Sequence, residues 1–227
     1  MRAFLCILAA GLSFAASTAD LERARDRQDR AALEKLATEF KTEAGKRPND
    51  AAAQYRLALA ESHLAEVAIE LKDKNQARGA AETGIAAAQK AVAMETRNAE
   101  YHRILGTLCG QVIPANVLLG LKYGRCAQES INKAVELDPK SAAAYLSRGV
   151  GNYYLPAQFG GGIDLAIRDF EKALQLNPKL PEAWLWLGIA QRKANRNAEA
   201  RKSLQKAVEL NPNRVWAKQQ LEKTPAQ

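Results

Sequence analysis

The sequence predicts an all-α fold: a right-handed α-solenoid of stacked antiparallel helix pairs, with a capping helix at each end. Three observations predict it. First, one phrase recurs four times, as Lys90-Ala91-Val92, Lys133-Ala134-Val135, Lys172-Ala173-Leu174 and Lys206-Ala207-Val208, with successive alanines 43, 39 and 34 residues apart. Self-similarity at such a period is the mark of a helix-turn-helix array. Second, Gly106, Gly149 and Gly188 keep the same spacings of 43 and 39. Glycine inside a helix costs about 1 kcal/mol against alanine, so a series in register needs a packing reason. Third, three copies run on into Leu137-Asp138-Pro139, Leu176-Asn177-Pro178 and Leu210-Asn211-Pro212, where proline stops one helix and turns the chain toward the next.

Residues 1–19 read as a secretory signal peptide: Met1-Arg2, an apolar run over 3–16, then Ser17-Thr18-Ala19 with cleavage after Ala19. Leu5 precedes Cys6 where a lipoprotein site wants a small residue, so no lipid anchor is expected. The run is too short to span a bilayer and nothing later reaches about 18 apolar residues, which argues against stable membrane insertion. Residues 20–46 form a charged capping helix whose Leu33, Leu36, Ala37 and Phe40 make one buried stripe.

The array spans residues 47–214 in about four units. The earliest, 51–96, is divergent: it has Tyr55, Gly84, Ala88 and Ala91 in order but lacks the central glycine and the closing proline. Asn49-Asp50 cap its first helix, which runs through 71, and the second covers 76–94. A helix over 98–112 follows, and Pro114 starts its lengthened partner, which reaches 137 and kinks at Gly120 and Gly124. The third pair is 141–155 with 163–176, and the fourth 181–195 with 197–210. Residues 214–227 supply a capping helix and tail that bring Trp216 down on the open end, as arrays commonly require.

The last unit reads Trp184-x2-Leu187-Gly188-x2-Gln191, then Ala200-x3-Leu204, Ala207 and Pro212. It resembles the tetratricopeptide repeat (TPR) family, whose pattern W-x2-L-G-x2-Y, A-x3-F and P it matches with Gln191 for Tyr and Leu204 for Phe. The unit before keeps Tyr145, Gly149, Ala166-x3-Phe170, Ala173 and Pro178, with five extra residues within 155–162. The one before that keeps Gly106, Ala127-x3-Ile131, Ala134 and Pro139, with nine extra around 114–122. Trp184 is the expected aromatic anchor of the C-terminal units.

Two cysteines follow the leader. Cys109 falls three residues after Gly106 and Cys126 just before Ala127, on faces that meet. Export favours a disulfide between them, and two buried thiols acting as small hydrophobes are the alternative. Without Arg2 the chain carries 32 basic and 25 acidic residues, a net charge of +7. Opposite signs alternate along helices, as over residues 21–27, so these are solvated faces and no nucleic acid is expected. Outside the cytosol a positive balance points to acidic proteins or anionic envelope surfaces.

No catalytic motif is present. His63 and His102 are the only histidines, and no H-E-x-x-H, G-x-S-x-G or paired C-x-x-C occurs. The stretch Phe159-Gly160-Gly161-Gly162 lacks the Gly-Lys-Ser/Thr ending of a phosphate loop and reads as a turn. The chain is therefore read as a non-enzyme with no cofactor and no metal. What the stack presents is a concave face made by the first helix of each pair. In register the inward residues are Arg56, Ala60 and His63, then Glu100, Arg103, Thr107 and Gln111, then Leu146, Val150, Tyr153 and Tyr154, then Leu185, Ile189, Arg192 and Lys193. Such a groove, cationic early and apolar later, suits a protein or peptide partner with an acidic group at one end. Tyr153 and Tyr154 have a second reading, packing on the enlarged loop at Phe159.

The leader, the enlarged turns and the loop Pro156-Ala157-Gln158-Phe159-Gly160-Gly161-Gly162 resemble the periplasmic T-component proteins of tripartite (TRAP) solute transporters. That resemblance implies a hub that docks a solute-binding protein and carries a hydrophobic small ligand. The leading reading is a periplasmic or secreted interaction scaffold. The TRAP-associated accessory is the alternative, and an envelope hydrolase or transferase ranks third.

Overall fold

Short polar residues before the apolar run decide where six of the described helices begin. In the computed structural model, which describes residues 17–226, eleven α-helices and no strands are found among the described residues. They are α1 (Thr18–Asp26), α2 (Arg30–Lys46), α3 (Ala51–Glu70), α4 (Lys74–Met94), α5 (Ala99–Gln111), α6 (Gly120–Leu137), α7 (Ala142–Tyr154), α8 (Ile163–Leu176), α9 (Pro181–Lys193), α10 (Asn197–Leu210) and α11 (Val215–Glu222). Side-chain caps from Ser17, Asp29, Asp50, Asp73, Asn98 and Ser141 satisfy the first free N–H groups of α1, α2, α3, α4, α5 and α7. The expected signal peptide lies almost wholly outside the described residues.

Antiparallel pairs α3/α4, α5/α6, α7/α8 and α9/α10 stack in order, and the repeated glycines explain how closely the last three of these pairs pack. A methyl group on Gly188 would lie 2.6 Å from Leu204 Cγ and 2.9 Å from the Ala200 carbonyl oxygen. At Gly149 it would meet Phe170 Cε1 at 2.5 Å, and at Gly106 the Ala127 carbonyl oxygen at 2.9 Å. The first helix thus carries a notch and the second fills it with a large side chain and its own backbone. The divergent pair α3/α4 has Ala58 at the notch position and Ala88 at the position of Ile131, Phe170 and Leu204, both fully buried in one cluster.

Two expectations are corrected. The charged helix expected over residues 20–46 is two helices. The chain reverses at Gln28, in the left-handed region at φ 53°, with Asp29 N–H donating to Ala24 O at 2.8 Å and Gln28 N–H to Arg25 O at 2.9 Å. This is a Schellman closure. It recurs at Lys72 (φ 64°), with Asp73 N–H on Ala68 O at 2.8 Å, and at Asn195 (φ 61°), with Arg196 N–H on Gln191 O at 2.9 Å. α1 and α2 are therefore a further hairpin closed by the same turn, hidden because no Gly or Pro marks it. The second correction concerns Pro114, which does not start a long helix. Residues 113–119 form two 3-10 turns and α6 begins at Gly120. The extra residues are divided between these turns and α6, which has 18 residues against 14 in α8 and α10.

The inner face and its closing ion cluster

The first helices α3, α5, α7 and α9 form the inner face, as the register predicts, but their polar side chains mostly bond to one another. Arg56 pairs with Glu43 of α2 at 2.7 Å. Arg103 is held by Glu100 at 2.5 Å and donates to Ser147 Oγ at 3.2 Å, and Thr107 Oγ1 donates to the same oxygen at 3.2 Å. Gln111 accepts from Ser62 Oγ at 3.1 Å and donates to Ser62 O at 3.1 Å. These bonds link α3 to α5 and α5 to α7, so Arg103, Thr107 and Gln111 set the spacing of the inner helices.

At the far end the face is covered. Leu185 and Ile189 are buried against α11, and Arg192 donates to Gln220 O at 3.0 Å, to Gln220 Oε1 at 2.6 Å and to Thr224 Oγ1 at 3.0 Å. Leu185, Ile189 and Arg192 were expected to line an open groove, and the C-terminal segment occupies it instead. Ala60 is fully buried, and His63 is nearly so with Nδ1 3.4 Å from Glu66. Leu146, Val150 and Tyr153 are half-buried and Tyr154 is 54% exposed. Lys193 lies over the Tyr153 ring, 4.3 Å from its centroid. Tyr153, Tyr154, Phe170 and Trp216 all pack on Trp186, at centroid separations of 5.7, 6.1, 6.3 and 5.3 Å. Trp186 is thus the aromatic hub. Trp184, the expected anchor, is half-exposed and donates its indole N–H to Pro178 O at 2.9 Å.

The most heavily buried polar group is Arg214, whose side chain is 1% exposed. It stands immediately before α11, where α3, α5 and α7 have capping residues, and makes no cap. Its guanidinium instead meets Glu182 at 2.9 Å, Glu66 at 2.8 Å, Asp26 at 3.9 Å and, more closely still, Glu70. Arg25 joins at 2.7 Å from Asp26 and 3.6 Å from Glu182. Asn211 donates to Asp26 at 2.7 Å and Gln219 to Gln28 at 3.2 Å. The end of the array thus touches its beginning and the superhelix closes on itself.

Two guanidinium groups among four carboxylates leave the cluster short of positive charge. Glu66 is held down to about 2, burial opposing and Arg214 prevailing, whereas burial and the neighbouring Glu66 charge push Glu70 up to about 7 against the pull of Arg214. One carboxylate of the pair stays ionised and the other leans toward neutrality. The sequence held a signal for this. Glu66 and Glu70 are four apart in the otherwise apolar stretch 64–70 that ends α3, a repulsive arrangement that needs a cation from elsewhere.

Cys109 and Cys126 are joined, with Cα atoms 6.0 Å apart. The bond ties α5 to α6. The same level of the later pairs is tied by Asn152 donating to Asp169 at 2.9 Å and by Ser203 donating to Gln191 at 2.7 Å. Among the described residues no group of three or more His, Cys, Asp or Glu is placed to hold a metal ion.

Stacked helical hairpins with glycine notches and a mixed inner face define a TPR protein, the class whose members bind protein or peptide partners. Residues 16–155 match the family model described as Regulator of microtubule dynamics protein 1-3, and the chain belongs to that family. Residues 161–221 match a tetratricopeptide repeat model. Among curated proteins, Cell division cycle protein 27 homolog of Caenorhabditis elegans is 36% identical over 86 residues, covering 38% of this chain and 10% of that protein. Anaphase-promoting complex subunit 3 of Schizosaccharomyces pombe (strain 972) is 32% identical over 87 residues, covering 38% and 12%. The chain thus matches about a tenth of the length of these relatives. Of solved structures, a thermophilic TPR protein of Thermus thermophilus superposes with a TM-score of 0.59 at 21% identity, over 88% of this chain and 99% of that one. The HusA haemophore of Porphyromonas gingivalis superposes with a TM-score of 0.55 at 22% identity, over 78% and 94%. Both likenesses are of fold.

Proposed function

We propose that this protein is a non-enzymatic scaffold, exported to the periplasm, that holds a partner protein or peptide on its inner face over α5 and α7. The observation that carries this reading is the way the inner face already holds a length of its own chain. Over residues 214–224, Arg214 sits among carboxylates, Trp216 packs on Trp186, and Gln220 and Thr224 engage Arg192. Alternating ionic and aromatic seats of this kind are what an extended or helical peptide needs.

The seats left to a partner are Leu146, Val150 and Tyr154, which offer partly exposed apolar surface beside Lys193. An acidic residue of the partner would meet the exposed Lys193, whose one acceptor, the Tyr153 carbonyl oxygen, is neutral. Export rests on the leader read from residues 1–19 and on a cysteine pair suited to an oxidising compartment.

A photoreactive residue in place of Tyr154, irradiated in intact cells, tests the docking reading. The expected result is one dominant adduct that Val150→Asp abolishes; a smear of adducts insensitive to that substitution sinks it. N-terminal sequencing of the envelope protein tests export, and a chain that keeps residues 1–19 argues against it.

A further inference from the structure

The exposed apolar side chains are not scattered. Among the described residues seven large ones stand out, and six of them lie where the first helix of a pair turns into the second: Leu71 (47% exposed), Leu118 (68%), Leu121 (90%), Tyr154 (54%), Phe159 (67%) and Leu165 (37%). Only Met94 (38%) lies at the opposite turns, between successive pairs. Stacking places all the first-to-second turns along one edge. Cross-links along that edge include Gln28 to Glu70 at 2.8 Å, Arg30 to Asp73 at 3.0 Å, Tyr123 to Glu82 at 3.3 Å and Lys193 to Tyr153 O at 3.4 Å. The two loops that exceed the repeat length carry Leu118 and Phe159 at their tips.

Cations accompany the apolar tips. Lys72, Lys74, Lys122 and Lys193 stand on this edge, and among the described residues none is paired with a carboxylate. The neighbouring acids Asp73, Glu82, Glu129 and Glu199 are taken up by Arg30, Arg78, Arg125 and Arg196. What remains is a row of protruding leucine and aromatic tips among four lysines, Lys122 and Lys193 resting on tyrosine rings, with Asp164 at the start of α8 as one acid that makes no ion pair among the described residues. A groove receives a peptide, whereas a protruding apolar row rimmed by lysines fits the boundary of an anionic bilayer, where tips enter the acyl region and lysines stay with the headgroups.

We propose that this edge docks the protein peripherally on anionic membrane surfaces, with Leu118, Leu121 and Phe159 as the inserting tips. No helix among the described residues is long and apolar enough to cross a membrane, so the attachment is a surface one. Its inserting tips lie at the turns and not on the inner face, Tyr154 and Lys193 stand at the border of the two, and the proposal does not depend on the partner-binding reading.

Co-sedimentation of the full chain with vesicles tests it, comparing phosphatidylcholine alone with an equal mixture of phosphatidylcholine and phosphatidylglycerol. The expected result is binding to the anionic vesicles only, weakened at least about tenfold by Leu118→Ser with Leu121→Ser and likewise by Lys72→Glu with Lys122→Glu. An unchanged melting temperature shows these exposed changes leave the fold intact. Three outcomes overturn the proposal: no sedimentation with anionic vesicles; serine variants that sediment like the parent, which assigns binding to the apolar run at the N-terminus; or a parent dimer in light scattering that the serine variants convert to monomer, which makes the edge a self-interface.

Discussion

The first and last full helix pairs reach the same architecture with opposite materials. α3 and α4 are 20 and 21 residues long and bury small residues on both helices, Ala58 on α3 and Gly84 and Ala88 on α4. α9 and α10 are 13 and 14 residues long and approach through a glycine notch filled by Leu204, with Trp186 and its aromatic neighbours supplying bulk. Alanine offers good helix propensity but little area to bury, so the first pair compensates with length. The short pair depends on a few large side chains. Damage should therefore be concentrated in the last pair and spread out in the first.

The largest expected effect follows directly. Trp186→Ala empties the centre of the four-ring cluster and should cost about 3 to 5 kcal/mol in urea unfolding. Trp184→Ala should cost less, because that ring, although it packs on the neighbouring apolar core and donates to Pro178 O, stands outside the ring cluster centred on Trp186. Reversal of this ranking would return the anchor to Trp184. No single alanine of the first pair should matter as much as Trp186.

Next comes the residue that joins the two regions. Arg214→Met leaves Glu66, Glu70, Glu182 and Asp26 with Arg25 as their one remaining guanidinium, and removing one partner of a buried ionic group typically costs about 3 to 5 kcal/mol. Repeat arrays are held by neighbour contacts, so cutting the seam should also let the alanine-rich and aromatic halves melt separately. Calorimetry of the variant should show two transitions. A single transition at the parent temperature would mean the closure adds nothing.

The glycine notch gives a smaller and more discriminating test. Gly188→Ala puts a methyl group against a backbone carbonyl that cannot move, and overpacking of this kind costs about 1 to 3 kcal/mol. Gly84→Ala meets the end of the Leu108 side chain at 2.6 Å, which can rotate, together with Glu61 Cβ at 3.0 Å. The loss there should be smaller than at Gly188, read as the difference in denaturation midpoint.

The helix pairs, their order and the inner face were legible because proline, glycine and the repeated Lys-Ala phrase are local signals with one physical meaning each. The α1/α2 hairpin was not, since its turn is made by Gln28, a residue with no reputation for positive φ. The closure of the superhelix was not legible either. It depends on Arg214 reaching Glu66 across 148 residues, and no local pattern encodes the curvature that brings them together. The same curvature explains why Leu185, Ile189 and Arg192 are covered while Leu146 and Tyr154 remain accessible.

The mildest prediction compares one position in the two pairs. Glu61 on α3 and Gln191 on α9 both stand eleven residues beyond their caps. Gln191 accepts from Ser203 at 2.7 Å, but α4 offers Ala87 at the matching place, and Glu61 has no hydrogen-bonding partner among the described residues. Burial pushes its carboxyl up to about 7, with Lys41 only partly opposing, from 4.5 in the unfolded chain. Between these values the folded chain binds more protons than the unfolded one, so stability is fullest below about pH 4.5 and falls as pH rises toward 7. Glu61→Gln removes this part of the slope and should raise stability at pH 8 by about 1 to 2 kcal/mol. Glu70, pushed the same way, keeps a residual slope. Adding Ala87→Ser supplies the hydroxyl found at Ser203 and should contribute about 1 kcal/mol more at every pH. Urea midpoints at pH 5 and pH 8 for the parent, the single variant and the double variant decide it, and an unchanged slope in Glu61→Gln would show that the carboxyl is ionised in the fold.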